Sequence, residues 1–279
     1  PDPAKRQAWL EFVVIGGGPT GVELAGTLAE IAQHTLRNEF RIADPARARV
    51  HLVEAGPRVL ASMPESLSAS ALRQLDKLRV LVHTGTPVTA IDAEGVTLGG
   101  TQRIESRVAL WAAGVAASPL GAQLGLACDR QGRVPVAPDL SVPAHPEVFV
   151  IGDLASVTSD ARQVPGIAPA AKQMGNHAAR AIRDRIAKRE TPAFRYRDYG
   201  NLATIGRMAA VVDLRGLRLS GLVAWWFWLA AHVFFLIGFR NRLIVLLNWA
   251  WAYWTYQRHA RIVLGGEGSA GNDPGPPPR

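Results

Sequence analysis

A glycine-rich segment between a predicted strand and a predicted helix constrains the fold of this chain most strongly. Leu10–Ile15 is a short apolar run with β-branched side chains, which predicts a buried strand. Gly16, Gly18 and Gly21 follow at the spacing G-x-G-x-x-G, and Val22–Ala32 has the apolar spacing of a helix. In this context the glycines allow a tight turn, close approach of the backbone to a pyrophosphate, and close packing of helix on strand. The segment therefore predicts a dinucleotide-binding unit.

An acid is expected at the end of the second strand of such a unit, where it hydrogen-bonds the ribose 2′-hydroxyl. Glu54 fills this place, because it directly follows the predicted strand Val50–Val53. It lies 33 residues after Gly21, beyond the usual spacing of about 20, so we expect Asn38–Arg49 to extend the connection. No arginine directly follows Glu54, which favours NAD(H) over NADP(H). The alternative is a glycine-rich turn that binds nothing.

The elements that follow alternate between short apolar runs and helical segments. This order of strand, helix and strand predicts an α/β fold, a Rossmann-like doubly wound domain with a small antiparallel insert. The predicted helices are Ser66–Leu78 and Ala168–Arg185, the latter with a buried stripe of Ala171, Met174, Ala178 and Ile182. The predicted strands are Val80–Val82, Val88–Ile91, Val96–Leu98, Val108–Trp111 and Val148–Ile151, followed by mixed strand and turn over Pro192–Gly221.

The C-terminal quarter of the chain is basic and rich in tryptophan. The net charge of the chain is +8, and from Asn201 to Val263 there are seven arginines against one acid and six of the eight tryptophans. Two apolar segments, Leu222–Phe239 and Leu243–Tyr256, predict helices that lie on a membrane surface. The second segment is short for a span, so a monotopic anchor is favoured. Nucleic-acid binding is disfavoured because the aromatic residues sit in apolar runs.

Cysteine and histidine usage excludes other kinds of site. The single cysteine, Cys128, rules out a disulfide framework or a paired-cysteine redox centre within this chain. The seven histidines are scattered, so no metal site is predicted.

Several motifs together resemble the type II NADH dehydrogenases, over residues from about Trp9 to Val263. The motifs are Gly16–Glu30, Trp111–Val115, Val148–Ala155, Val164–Gly175 and Tyr199–Arg207, together with the tryptophan-rich segment punctuated by arginine. The family's N-terminal glycine-rich loop, which holds the FAD pyrophosphate, is absent, so the chain resembles the C-terminal two-thirds of such an enzyme. Pro169 and Tyr199 stand where family members often have glutamine and lysine.

The resemblance implies a domain organisation and an activity. Residues 9–115 would be the NADH-binding domain, 116–200 the C-terminal part of an FAD-binding domain, 201–263 a membrane-anchoring region and 264–279 a disordered tail. The activity implied is non-proton-pumping NADH:quinone oxidoreduction, with hydride transfer from NADH to FAD and two electrons passed to a membrane quinone. The expected location is the cytoplasmic face of a bacterial inner membrane. A homodimer is compatible with membrane docking.

The resemblance also assigns cofactor contacts. Asp153, after Gly152, would contact the ribityl or phosphate region of FAD, since a carboxylate accepts hydrogen bonds from sugar hydroxyls. The small residues Ala113 and Gly114 would let the nicotinamide approach. Ordinary turns at both places are the alternatives.

Two residues are expected at the reacting groups. Glu23 would face the contact between nicotinamide and flavin, although an acid in the first helical turn is also favoured by the helix dipole. Gln173 would lie near the flavin edge and the quinone head group, offering a donor and an acceptor; an exposed helical glutamine is the alternative.

Two other functions stay open. Another FAD-dependent quinone reductase, such as a sulfide:quinone oxidoreductase, is disfavoured because its chemistry needs paired cysteines. A non-catalytic, membrane-bound nucleotide-binding module is consistent with the missing loop for the FAD pyrophosphate.

Overall fold

The computed structural model describes residues 3–36, 40, 43–214, 216–235 and 239–255. The first half contains α1 (Pro3–Ala8), β1 (Glu11–Ile15), α2 (Pro19–Glu30), β2 (Arg49–Val53), α3 (Glu65–Lys77), β3 (Val80–His83), β4 (Val88–Asp92), β5 (Gly95–Leu98), β6 (Gln102–Glu105) and β7 (Val108–Trp111). The second half contains α4 (Leu120–Gln123), β8 (Val134–Pro135), β9 (Ser141–Val142), β10 (His145–Phe149), β11 (Ala155–Ser156), β12 (Thr158–Ser159), β13 (Arg162–Gln163), α5 (Ala168–Ile186), β14 (Asn201–Gly206), β15 (Ala209–Leu214), β16 (Leu217–Ser220), α6 (Leu222–Phe235) and α7 (Phe239–Thr255).

A parallel sheet in the order β3-β2-β1-β7 forms the centre of the first half, which confirms the predicted α/β class. Alternate residues of its strands face opposite sides. Val14 and Leu52 pack against α2 and α3, whereas Val13, Ile15 and Val53 pack against a separate antiparallel sheet. That sheet, β4-β5-β6, is the predicted insert. β3 belongs to the parallel sheet, and β6, which the sequence did not indicate, completes the insert.

The buried face of α2 carries small side chains. Of the larger apolar residues that give this segment its helical spacing, Leu24 and Leu28 are only partly buried and Ile31 is exposed. The fully buried residues of this helix are smaller: Gly21, Val22, Ala25, Gly26 and Ala29. The reason is a backbone contact, because a Cβ on Gly26 would lie 1.5 Å from the carbonyl oxygen of Ile205 in β14. Large side chains cannot fit where two backbones approach so closely.

The region between β7 and β14 is built from short strand pairs around α5. Its core includes Leu140, Val150, Met174 and Phe194. Half of the predicted buried stripe of α5 is confirmed, because Met174 and Ala178 are buried. Its two end residues are wrong: Ile182 is 46% exposed, and Ala170 and Ala181 are buried in place of Ala171 and Ile182. The predicted strand Val148–Ile151 was placed too late, because β10 ends at Phe149.

A three-stranded antiparallel sheet, β14-β15-β16, lies between α2 and the C-terminal helices. Ala203, Ile205 and Val211 join the core of α2 and α3, whereas Ala210 and Val212 pack against Ala224 and Trp225 of α6. None of the described helices combines the length and hydropathy that a membrane span requires. The predicted tail, 264–279, lies outside the described residues.

Candidate functional site

The glycine-rich loop between β1 and α2 has the geometry that its sequence predicts. Gly16 has a φ of +112°, a left-handed conformation that only glycine adopts readily. A Cβ on Gly16 would lie 2.6 Å from the carbonyl carbon of Ala112. The Gly16 N–H donates to the carbonyl of Val53 at 2.7 Å. The start of the loop is therefore held against the ends of both neighbouring strands.

The other two glycines of the motif differ in their surroundings. A Cβ on Gly21 would lie 1.7 Å from the carbonyl oxygen of Gly16, whereas a Cβ on Gly18 would meet nothing within 4 Å. Gly18 is the N-cap of α2 and the helix start has no side-chain cap. The helix start therefore has no side-chain cap on its first N–H groups and has open space at Gly18; an uncapped helix start is the arrangement that binds phosphate anions.

Glu54 lies directly beneath this loop. One carboxylate oxygen accepts a hydrogen bond from the N–H of Gly17 at 2.5 Å, and the other accepts from the N–H of Gly56 at 2.7 Å. The loop carbonyl of Gly17 in turn accepts from the N–H of Leu60 at 2.7 Å. Both oxygens keep free lone pairs, since a carboxylate accepts about four hydrogen bonds. Glu54 therefore fixes the loop and keeps acceptor positions that no backbone group of the loop uses.

Ala113 and Gly114 follow β7 at the same edge of the sheet. The N–H of Ala112 donates to the carbonyl of Ile15 at 2.7 Å, which joins this turn to the glycine-rich loop. A Cβ on Gly114 would meet nothing within 4 Å. The neighbouring side chains of Trp111 and Val115 are 65% and 77% exposed. The carboxyl edge of the sheet thus has an open, apolar surface next to the start of α2.

Two glutamates join α2 to β14. Glu23 accepts hydrogen bonds from the N–H of Thr204 at 3.0 Å and from its hydroxyl at 3.1 Å. Two helical turns further along α2, Glu30 accepts a hydrogen bond from the backbone N–H of Arg207, the residue directly after β14. Burial raises the pKa of Glu30, although this hydrogen bond opposes the rise. The structure thus gives Glu23 a partner in β14 that the sequence did not indicate.

Gly152 and Asp153 form a 3₁₀ turn that lines a cavity of about 70 Å³ with Val115 and Gly166. The Gly152 N–H lies 3.2 Å from the sulfur of Met174. Asp153 is exposed and accepts no hydrogen bond from the described part of the chain. The structure thus brings Asp153 close to the segment after Gly114, with a carboxylate free to accept.

Gln173 has partners at both ends of its amide. Its Nε2 donates to the carbonyl of Arg197 at 2.9 Å, and its Oε1 accepts from the N–H of the same residue at 2.9 Å. The side chain therefore ties α5 to the segment before β14.

A buried polar cluster at the amino edge of the sheet was missed by the sequence analysis. Glu11 is 3% exposed and contacts Arg49, Gln7 and His51, the last at 2.9 Å; His51 contacts His83 at 3.1 Å. Burial alone would raise the pKa of Glu11, but hydrogen bonds from Arg49, Gln7 and His51 bring it below its usual value. Among the described residues, no group of three or more His, Cys, Asp or Glu side chains is arranged to hold a metal ion.

Comparison with known proteins places this geometry in a family. The family model for pyridine nucleotide-disulphide oxidoreductases matches residues 3–175, more than half of the chain. The chain belongs to the pyridine nucleotide-disulphide oxidoreductase family. A second model, described as the NDH2 C-terminal domain, matches residues 199–255. Together the two matches confirm the resemblance to type II NADH dehydrogenases.

Curated relatives carry the same description. The chain is 42% identical over 268 residues to the type II NADH:quinone oxidoreductase Ndh of Mycobacterium tuberculosis, covering 92% of this chain and 57% of that protein. It is 43% identical over 261 residues to NdhA of the same organism, covering 89% of this chain and 55% of that protein. The chain thus spans just over half the length of these relatives.

A solved structure shows the same fold. NDH2 from Plasmodium falciparum, in complex with NADH, superimposes with a TM-score of 0.81 at 17% identity and covers 91% of this chain and 68% of that one. At this identity the likeness supports the fold.

Proposed function

We propose that this chain supplies the NADH-binding and membrane-facing parts of an NADH:quinone oxidoreductase that does not pump protons. The observation that carries the proposal is the open amino end of α2 above the Glu54 carboxylate. The reported relatives are named type II NADH:quinone oxidoreductases, which agrees with this site.

The residues of the loop divide the work of binding NADH. The free N–H groups after Gly18 would hold the pyrophosphate at the positive end of the α2 dipole. Glu54 would accept from the ribose 2′-hydroxyl through a lone pair that Gly17 and Gly56 leave free. Ala113 and Gly114 leave room for the nicotinamide at the carboxyl edge of the sheet. Glu23, tied to Thr204, would keep α2 at a fixed distance from that ring.

The second cofactor would lie against the turn at Gly152 and Asp153. FAD supplies hydride acceptance and electron transfer when it is bound. The residues present fit it, because Asp153 offers a carboxylate with free acceptors beside an open cavity, as a ribityl or ribose hydroxyl requires. Gln173 holds the segment at Arg197 in place, and its amide keeps a second N–H and a second oxygen lone pair with which it would contact a quinone.

The C-terminal helices would hold the protein on a bilayer surface. Exposed apolar side chains lie along both of them: Leu222, Val223, Trp226 and Phe234 on α6, and Leu243, Ile244, Leu246, Leu247, Trp249 and Trp251 on α7. Trp228 and Trp249 stack with ring centroids 5.7 Å apart, which packs the two helices together. An apolar hairpin of this kind inserts into one leaflet, where tryptophan is favoured. We infer attachment at the cytoplasmic face, because NADH is supplied from the cytoplasm and a lipid-soluble quinone would be within reach there.

Membrane attachment is tested by a matched pair of apolar-to-acid substitutions. Leu247, 61% exposed on α7, is changed to glutamate, and Ile186, 80% exposed at the end of α5, is changed in the same way. We expect Leu247→Glu to reduce co-sedimentation with lipid vesicles several-fold, because a charge in the interface is costly, and Ile186→Glu to leave it unchanged. Equal binding of both variants would contradict the anchor. Dimer formation that responds to Leu247→Glu while vesicle binding does not would assign this face to a second copy of the chain.

The enzymatic proposal is tested at Glu54. We expect the purified chain to bind NADH, measured by nicotinamide fluorescence, and Glu54→Arg to weaken NADH binding at least tenfold relative to NADPH. Reconstitution with FAD followed by NADH oxidation with a soluble quinone tests the complete reaction. Binding of NADH without flavin retention or turnover would support a non-catalytic nucleotide-binding module instead.

A further inference from the structure

A cavity of about 550 Å³ lies beside the buried stripe of α5, between this helix and the segment before β14. Gln173, His177 and Arg180 contribute to it from α5, at a spacing that places them on one helix face. Phe194 and Arg195 line it from the neighbouring segment. The volume lies within the range of small-molecule sites. None of these residues other than Gln173 has a place in the nucleotide site described above.

The walls of this cavity are fixed by hydrogen bonds and packing. The paired bonds between Gln173 and the backbone of Arg197 close one end. The N–H of Phe194 donates to the carbonyl of Pro138 at 2.7 Å, and its buried ring meets His177 edge-on with centroids 5.4 Å apart. The backbone of the segment before β14 and the rings of Phe194 and His177 are therefore held in place, while the two arginine side chains at the cavity make no bond to other described residues that fixes them.

The charge in the cavity is positive and uncompensated. Arg180 and Arg195 line it, and no acid does. Neither guanidinium makes an ion pair or a hydrogen bond within the described ranges, whereas Arg185 pairs with Asp139 at 2.5 Å and Arg189 pairs with Asp184 at 2.8 Å. Asp139 and Asp184 are thus already engaged with other arginines.

His177 adds an unsatisfied polar atom. Its Nε2 is buried and has no hydrogen-bond partner in the described part of the chain. Burial lowers the pKa of His177, the charge of Arg180 lowers it further, and Asp139 opposes this. The neutral ring can present an N–H at Nε2. A buried polar atom without a partner is costly unless a ligand or water satisfies it.

We propose that the cavity lined by His177, Arg180 and Arg195 binds a phosphate ester. Guanidinium groups match phosphate oxygens with two parallel N–H bonds, and Asn176, which also lines the cavity, adds an amide donor. The cavity exceeds the size of a phosphate ion, so it has space for a small organic group beside Phe194. The ester is either a soluble metabolite or a phospholipid head group.

The first test is calorimetric titration of the full chain with inorganic phosphate and with glycerol 3-phosphate. Arg180→Gln and Arg195→Gln each remove one of the two charges, and Arg183→Gln removes an equivalent charge from α5 outside the cavity. We expect at least tenfold weaker phosphate binding in the first two variants and less than a twofold change in the third. The glycine-rich loop also binds phosphate, but its contribution is the same in all three variants.

The second test observes the site directly and separates the two sources. In ¹⁵N-histidine spectra, the Nε2 signal that is missing in His177→Gln should shift on addition of phosphate. Vesicles of phosphatidylglycerol in phosphatidylcholine then distinguish the ligands. Vesicle binding that weakens in Arg180→Gln but not in Arg183→Gln assigns the site to a lipid head group. Unchanged vesicle binding, with glycerol 3-phosphate bound more tightly than phosphate, assigns it to a soluble ester.

The proposal is overturned if phosphate leaves the His177 signal unmoved, or if Arg183→Gln weakens phosphate binding as much as the cavity variants do. NADH binding, measured separately, reports on the loop at α2. Failure of one site is therefore distinguishable from failure of the other.

Discussion

The glycine-rich loop at α2 and the turn at Gly152 are both placed to contact a cofactor, but they are built differently. Around the loop, backbone groups interlock: Gly16 with Val53, Gly17 with Glu54, and Gly21 against Gly16. Around the turn, strands are two residues long and the Asp153 carboxylate faces outward. In the first site, the chain itself holds Gly16, Gly17 and Gly21 and leaves only Gly18 open. In the second site, the exposed Asp153 carboxylate is free to accept a hydrogen bond from a ligand.

The largest expected effect breaks the interlocked loop. Gly21→Ala places a methyl group 1.7 Å from the carbonyl oxygen of Gly16, so helix and strand must separate. We expect a loss of about 3 kcal/mol in the free energy of unfolding, measured by urea denaturation. Gly175→Ala is the control in α5, where the nearest atom would be 3.7 Å away. Equal stability of the two variants would show that the close contact is absent.

A substitution at the open glycine separates binding from stability. Gly18→Ala adds a methyl group where nothing lies within 4 Å, in the space proposed for the pyrophosphate. We expect about tenfold weaker NADH binding, equivalent to about 1.4 kcal/mol, and a change in unfolding free energy below about 0.5 kcal/mol. Unaltered NADH binding would remove the pyrophosphate from the amino end of α2.

The two carboxylates offer the most direct comparison of the two regions. In the native protein both oxygens of Glu54 accept from backbone N–H groups. Glu54→Gln replaces one of these oxygens with an amide NH₂, so that a donor faces a donor, and we expect a loss of about 1 kcal/mol in the free energy of unfolding. Asp153→Asn removes no described hydrogen bond, so its stability should change by less than about 0.5 kcal/mol, while flavin retention falls. Thermal unfolding measures the change in stability, and the absorbance of bound flavin measures flavin retention. Equal destabilisation by the two would mean that the regions do not differ.

The smallest expected effect concerns pH. Burial lowers the pKa of His83 below 6.5, and the charge of His51 lowers it further. Between the pKa of His83 in the folded protein and its higher pKa in the unfolded chain, the unfolded chain binds more protons. The contribution of His83 to stability is therefore complete above the pKa of the unfolded chain and is lost as the pH falls toward the pKa of the folded protein. We expect His83→Gln to show a shallower loss in urea denaturation between about pH 7 and pH 5, with the exposed His145→Gln as control. Identical slopes would assign the acid sensitivity to other groups.

Local signals in the sequence were enough for the loop but not for its partners. Gly16, Gly18 and Gly21 act on neighbouring backbone, so their spacing predicts the turn, and Glu54 follows from the end of a recognisable strand. The hydrogen bond between Glu23 and Thr204 joins residues 181 positions apart, and the contact of Gly26 with Ile205 is equally distant from any local pattern. Such pairings depend on topology. The cavity at Arg180 and Arg195 was missed for the same reason, since each arginine alone has the pattern of a solvated surface residue.

The backbone contact between α2 and β14 has a mechanical consequence. One face of the three-stranded sheet is clamped to α2 through Gly26, Glu23 and Glu30, and the opposite face carries Trp225 of α6. Because the same sheet contacts α2 on one face and Trp225 on the other, we expect a tilt of α6 to be transmitted to α2. In the proposed complex with NADH, the orientation of the dinucleotide relative to the bilayer would then depend on the stiffness of this three-stranded sheet.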